Sequence, residues 1–367
     1  MHVKDFIVIG GGIAGISAAA HLARHGTVVV LEAEAQHGYH STGRSAAIFV
    51  RNYGNETLRA LNAASAPVLE APDGISDSSL LSPRGEVMVA TDEELPVFED
   101  YMAGSDGLER LSAQQVVELI PMMRPDRIAG AMIEWDAQDI DVDRMLSGYL
   151  RQLRHAAGSL VTKARVGEMR RAGGVWTVTA GGQRYQAPVV VNAAGGWAGA
   201  IGHMAGGVAV PLTPYRRSAA IVPGPVGADV MAWPMVCSAS ETWYAKPEAG
   251  KLMVSPADED PVEPHDVWAE DMVLAEGIHR FERMVTLEVT RVEHSWAGMR
   301  TFVPDRSPVV GFDPQADGLF WLAGQGGYGV QTAPALAALT EALVTGSDPG
   351  LAAPILSALT PHRFIKD

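Results

Sequence analysis

Residues 7–31, IVIGGGIAGISAAAHLARHGTVVVL, run without interruption from an apolar strand through a glycine-rich turn and an alanine-rich helix into a second apolar strand. Residues 6–9 are short, apolar and largely β-branched, and Gly10, Gly12 and Gly15 follow at GxGxxG spacing. Residues 13–24 read as helix, Gly26 ends it, and residues 28–31 return as a strand with Glu32 at its carboxyl end. In such a unit one glycine makes the tight turn, one lets backbone N–H groups approach a pyrophosphate, and one lets helix pack closely on strand. The phosphates then sit on the positive end of the helix. Glu32 stands 22 residues after Gly10, where a carboxylate accepts from both ribose hydroxyls and repels a 2′-phosphate, so NADP is disfavoured. The apolarity of residues 6–23 would also suit a signal anchor, but three spaced glycines and His21 argue against one.

A chain of 367 residues suits two interleaved domains. Its net charge of −15 makes nucleic acid an unsuitable partner. The single Cys237 excludes an intrachain disulfide framework and fits a reducing compartment. With no cleavable signal or membrane span, a cytoplasmic protein without an obligatory membrane is expected; peripheral association stays open, as does the oligomeric state. The histidines lack metal-type spacing, so no metal is expected.

A second anion-suited loop, HGYHSTGRSAA at residues 37–47, follows the ribose acid. Ser41, Thr42 and Arg44, with the backbone of Gly43 and Ser45, suit the pyrophosphate and flavin side of FAD; read alone, they also suit a solvated turn with hydroxyl caps. Residues 189–202 form an apolar strand running into Gly195 and Gly196, either a cofactor-facing strand or a core strand with a tight turn. Near the end, Gly324, Gly326, Gly327 and Gly329 precede a helix opened by Pro334 and closed by Gly346. That helix N-terminus suits the flavin N1 and C2 carbonyl, where negative charge collects on reduction.

Between these stretches, residues 80–90 read as a turn at Pro83 and an alternating strand, and residues 92–125 as partly helical with Ser112 as an N-cap. Residues 144–157 read as a helix on the cofactor sheet, and segments 160–166, 176–179 and 184–185 as a small antiparallel meander. Alternating strands between residues 211 and 293 suit an antiparallel sheet that reads substrate. The acidic stretch 257–271 reads most simply as a solvated excursion, with a lid as the lesser reading. The expected architecture is α/β: a Rossmann-type FAD-binding domain (1–84, 141–212, 296–367) interleaved with an α+β substrate domain on an antiparallel sheet (85–140, 213–295).

The joined pattern GGGIAGISAA, LEAEAQHGYHSTGRSAA, LLSPRGEVMV, WAGMRTFVPDRSPVVG and AGQGGYGVQT resembles the glycine oxidase and D-amino acid oxidase superfamily, and within it the D-arginine dehydrogenases, nearly end to end. The resemblance implies noncovalent FAD held by Gly10, Gly12, Ile13, Ala14, Gly15, Glu32, Ala33, Ser41, Thr42, Arg44, Ser45, Ala46, Val166, Ala194, Gly195, Trp197, Gly326, Gly327, Tyr328, Gly329 and Gln331. Cys237, in the substrate sheet, is a poor covalent flavin ligand and His40 a remote one. The implied reaction is oxidative deamination of free D-amino acids, with O₂ or a quinone-like electron acceptor.

Hydride transfer from Cα to flavin N5 requires a clamped carboxylate and a neutral amine. Arg300 is the best clamp, since a guanidinium binds a carboxylate through two parallel hydrogen bonds and keeps its proton. Arg217, Tyr53 and Tyr244 complete the implied set, and Gly327 and Gln331 are expected to line the site. Glu86 matches the carboxylate that meets a cationic side chain, whereas Ile48, Val50, Arg51 and Asn52 depart from the relative. An inward Arg51 would oppose a cation; an outward one leaves a greasier pocket suited to basic or hydrophobic side chains. L-Amino acids, secondary amines or 2-hydroxy acids on the same scaffold, and a non-catalytic dinucleotide-binding protein, are the alternatives.

Overall fold

The computed structural model describes residues 2–365, so the outermost expected domain bounds, at residues 1 and 367, lie outside the described residues. The fold is α/β. A six-stranded sheet carries strands Ser159–Val161, Val28–Leu31, Phe6–Ile9, Val189–Asn192 and Leu319–Ala323 in parallel, with Val309–Phe312 antiparallel at the edge. The central strands are near-continuous apolar runs because both faces are covered. Helices Ile13–Leu22, Val142–His155 and Ala333–Thr345 build the core on one face. The other face is covered by helix Ala198–Met204 and an antiparallel meander of Val166–Ala172, Val175–Ala180 and Gln183–Ala187.

Ser159–Val161 lies outside that meander, in contrast to the expectation for residues 160–166. It follows a helix and returns to the parallel sheet beside Val28–Leu31, as a strand does after a crossover helix. The helix ends are legible in local chemistry. Asp141 caps Val142–His155, Ser112 and Gln115 form a capping box on Ala113–Leu119, and left-handed Gly346 (φ 73°) closes Ala333–Thr345.

The larger sheet holds Thr213–Val222, Met235–Ser238, Tyr244–Glu248, Lys251–Ser255, Glu86–Ala90 and Gly130–Glu134. It is mixed, since Met235–Ser238 runs parallel to Glu86–Ala90. Glu86–Ala90 is buried at every position, in contrast to the expected half-exposed alternation. Val87 and Val89 face a core with Val116 and Phe281, whereas Met88 and Ala90 face one with Phe98, Met132, Cys237 and Tyr244. His294–Phe302 pairs with Thr213–Val222 from Ile221↔His294 to Thr213↔Phe302, so the strand expected to re-enter the cofactor domain at residue 296 stays bonded to the larger sheet as far as Phe302.

Segment 257–271 is exposed for much of its length yet firmly anchored, in contrast to a simple solvated excursion. Asp258, Asp260 and Glu270 pair with Arg216, and Asp266 with Arg44. Buried Val267 packs with Ala297 and Met299, which ties this strap to the strand that ends at the cleft.

The nucleotide-type turn is held by contact with no slack. A Cβ on Gly15 would stand 2.0 Å from the Gly10 carbonyl oxygen, and one on Gly10 2.3 Å from that of Ala193. Neither neighbour is a flexible side chain. Gly15→Ala is therefore expected to destabilise the protein by about 1–3 kcal/mol or more through forced backbone displacement, read as a lower urea midpoint. An unchanged midpoint would contradict this packing account.

Candidate functional site

Chain order around the parallel sheet reverses between Phe6–Ile9 and Val189–Asn192, and the main cleft opens outside the carboxyl ends of these strands. Residues 9–14 and 193–197 form its floor, and Ala33, Val166 and Trp197 line its walls. Glu32 sits where the strand ends, its carboxylate accepting from Gly11 N (2.6 Å) and Glu34 N (2.7 Å). Those bonds fix it at the ribose end and leave lone pairs for hydroxyl donors.

The 37–47 loop is held largely by protein partners. Thr42 Oγ1 accepts from Ile13 N at 3.0 Å and so caps the first helix, while Ser41 donates to the Met299 carbonyl at 2.6 Å. The Arg44 guanidinium is taken up by Asp266 and by the carbonyls of Val267 (3.0 Å) and Ala297 (2.9 Å). Ser41 and Thr42 line the main cleft; Arg44, Ser45 and Ala46 line its continuation toward the larger sheet. Two polar atoms, Nδ1 of His40, expected only as a remote covalent flavin ligand, and Nε2 of Gln325, which the sequence did not single out, belong to cleft-lining residues and are buried without a hydrogen-bond partner among the described residues. A helix N-terminus, bare glycine backbone, a ribose-side carboxylate and two free polar atoms along one elongated cleft fit FAD. Gly15 and Tyr328 do not line it: Gly15 packs beneath the turn, and the Tyr328 ring packs tilted against that of Tyr53, with centroids 4.6 Å apart.

The continuation of the cleft is lined by Arg217, Tyr244, Arg300, Gly326, Gly327 and Gly329. Arg300 and Arg217 arrive on neighbouring antiparallel strands, with Gly298 opposite Arg217 in register. Arg300 Nη1 donates to the Tyr53 hydroxyl at 3.4 Å. Burial is the largest influence on the Arg300 guanidinium and works against its charge, but Tyr53, Tyr244 and Glu241 nearby hold its pKa above the ordinary value. Burial and then Arg300 push Arg217 the other way. Both stay charged, because a guanidinium starts far above neutrality. Burial pushes the Tyr53 hydroxyl up, keeping it a neutral donor.

The segment that carries Tyr53 is clamped by Asn62 and Glu134, which the sequence did not single out, and by Gln331. Asn62 Nδ2 donates to the carbonyls of Val50 (3.3 Å), Arg51 (3.3 Å) and Tyr53 (3.1 Å). Gln331, placed in the site by expectation, does not reach the cleft; its side chain joins Asn62 Oδ1 (2.8 Å) and Val50 N (3.2 Å). Buried Glu134 accepts from Arg51 N (2.7 Å) and Asn52 Nδ2 (2.8 Å). Arg51 itself turns outward to Glu70 (3.0 Å).

Behind Tyr244 lies an apolar, methionine-rich core of Met88, Met132, Met235 and Met253, with Ile48 and Trp296 packed against it; of these, Met253 and Trp296 line the continuation of the cleft. Glu86 occupies the same face of the sheet without lining the cleft, and its Oε1 accepts from Cys237 Sγ at 3.7 Å. Burial, reinforced by Glu134, raises its carboxyl to about 8.

Residues 5–343 match the family described as FAD dependent oxidoreductase. The chain is 25% identical to FAD-dependent oxidoreductase domain-containing protein 1 of Bos taurus, covering 94% of this chain and 82% of that protein. It is 24% identical to a glycine oxidase of Bacillus licheniformis, covering 94% and 93%. The solved glycine oxidase of Geobacillus kaustophilus shares the fold with a TM-score of 0.84 at 21% identity, covering 97% of this chain and 98% of that one. Among the described residues, no helix is long and apolar enough to cross a membrane.

A Cβ on Gly327 would stand 2.8 Å from Arg300 Nη1, the far end of a side chain that can move aside. Gly327→Ala is accordingly expected to leave the unfolding midpoint nearly unchanged while displacing the guanidinium. Affinity for propionate, read from the flavin spectrum, should fall about tenfold, the worth of one charge-assisted hydrogen bond. Equal propionate affinity in the variant would mean that Arg300 is not positioned against this glycine.

Proposed function

This chain belongs to the FAD dependent oxidoreductase family, and on that premise we propose that it oxidises free D-amino acids with hydrophobic or basic side chains to 2-oxo acids and ammonia. The observation that carries the reading is the convergence of Arg300, Arg217 and Tyr244 at one end of the cofactor cleft, with Tyr53 beside it and bonded to Arg300. Arg300 and Arg217 hold the substrate carboxylate, and Tyr53 and Tyr244 close on it or orient the amine. Two cations beside the substrate disfavour its ammonium form, so the amine gives up its proton to water and no side chain is assigned as general base. Bound FAD supplies the acceptor for the hydride that leaves Cα. The resulting imino acid hydrolyses in water.

The name of the glycine oxidase relatives supports an α-amino acid substrate. The match of Arg300, Arg217, Tyr53 and Tyr244 to the D-arginine dehydrogenase pattern supports the D configuration. The outward turn of Arg51 and the apolar lining by Met253 and Trp296 support the side-chain preference. Cys237 Sγ is engaged with Glu86 in the substrate sheet, in keeping with noncovalent FAD, and O₂ or a quinone-like compound takes the electrons onward.

Arg300→Ala should lower kcat/KM about 10²-fold or more with FAD retained, since truncating one side of a buried charge pair costs about 2–5 kcal/mol. Near-normal kinetics would remove the clamp. A separate expectation concerns Glu86. Its carboxyl is neutral below about 8 and attracts a cation only once ionised. KM for D-arginine should therefore fall as pH rises through that value, relative to KM for D-methionine measured in parallel. Identical profiles for the two substrates would exclude Glu86 as a reader of cationic side chains.

A further inference from the structure

The acidic strap reads the adjacent strand residue by residue. Asp258 and Asp260 both pair with buried Arg216, at 3.2 and 2.6 Å, and Asp258 Oδ1 also accepts from Ser218 N at 2.6 Å. Between them, Glu259 meets Arg217: Glu259 Oε1 lies 2.9 Å from Arg217 Nη2. Its other oxygen meets Arg306 Nη2 at 2.5 Å, at the exposed rim. Glu259 is thus held on both sides by its neighbours' ion pairs, and it holds one edge of the Arg217 guanidinium. Arg217 Nε, on another edge, is buried without a partner among the described residues.

Charge counting then limits what the site accepts. Arg217 and Arg300 contribute two positive charges, Glu259 returns one negative charge, and a single substrate carboxylate completes neutrality. Arg306, on the other oxygen of Glu259, and Glu241, which acts on Arg300, are exposed and add one charge of each sign, so the balance is unchanged. Glu259 does not line the cleft; a second substrate carboxylate would face its charge across Arg217 and find that guanidinium already paired.

We propose that Glu259 is a positioning residue and a specificity determinant: it orients Arg217 and sets the site to read one carboxylate and reject dicarboxylates. The inference rests on the carboxylate clamp of the proposed function. It makes D-amino acids with acidic side chains poor substrates for a reason other than the apolar pocket.

The test uses propionate and malonate, which differ by exchange of a methyl for a carboxylate, titrated into the FAD-loaded enzyme and followed by the flavin absorption spectrum. The wild-type protein should bind propionate more tightly. In Glu259→Gln, and in Glu259→Ser as a second charge-removing variant, the affinity ratio should move at least tenfold toward malonate, while Glu259→Asp keeps the wild-type preference. A merely structural role would weaken both ligands together and leave the ratio alone. A ratio that moves by less than tenfold in both charge-removing variants overturns the role of Glu259 and leaves the clamp standing. Failure of the wild-type protein to bind propionate at all overturns the clamp and this inference with it.

Discussion

Two guanidinium groups on neighbouring strands, withdrawn from bulk water at the end of a cofactor cleft, are the constraint to which much of the structure answers. Like charges in a protein interior repel by several kcal/mol, and each also loses hydration. Arg217 is therefore met by Glu259, and Arg300 by the hydroxyl of Tyr53 with Tyr244 close by. Each compensating group needs its own support. Glu259 is carried on a strap fixed through Arg216, and Tyr53 on a segment fixed through Asn62, Gln331 and Glu134. These supports leave one charge uncompensated, which is the condition for binding a carboxylate. The site is preorganised, with little of its geometry left to be assembled by substrate.

The cofactor half answers to a different constraint, close backbone approach. Gly10 and Gly15 allow the first helix to sit on its strand, and Thr42 caps that helix from a loop 29 residues away. The same loop donates from Ser41 to the Met299 carbonyl, one residue before Arg300. The loop at the cofactor and the strand bearing the clamp are thus hydrogen-bonded to each other, and Arg44 ties both to the strap. FAD and a small carboxylate would be held in fixed mutual geometry by contacts that belong to neither alone.

Much of this was legible in the sequence where a signal is local. Glycine spacing, the acid after the second strand, the Ser112 N-cap and the closing Gly346 each depend on residues a few positions apart. Arg300, Arg217, Tyr53 and Tyr244 were found through resemblance, since an isolated arginine or tyrosine carries no local mark of function. Contacts between distant residues escaped. Arg44 was read from its loop as a holder of the pyrophosphate and flavin side of FAD, and its partner Asp266, 222 residues on, has no mark in that loop. Gln331 was expected, with Gly327, to line the site, whereas its side chain turns to Asn62, 269 residues away. Glu259 sits in a run of acids that reads as a solvated face until alternate members are found paired on opposite sides of one strand. The direction of Arg51 was undecidable from the sequence and is decided by Glu70.

Reduction of the bound flavin by free amino acids without oxygen tests the account most directly, because it depends on the clamp and the cofactor and is independent of the final electron acceptor. D-Methionine and D-arginine are expected to bleach the yellow enzyme rapidly, D-glutamate slowly, and their L-enantiomers far more slowly than the matching D forms. Bleaching by L-amino acids, secondary amines or 2-hydroxyglutarate in preference to any D-amino acid would contradict the substrate assignment. An enzyme whose FAD is bleached by none of them would contradict the reading of Arg300 and Arg217 as an amino acid clamp.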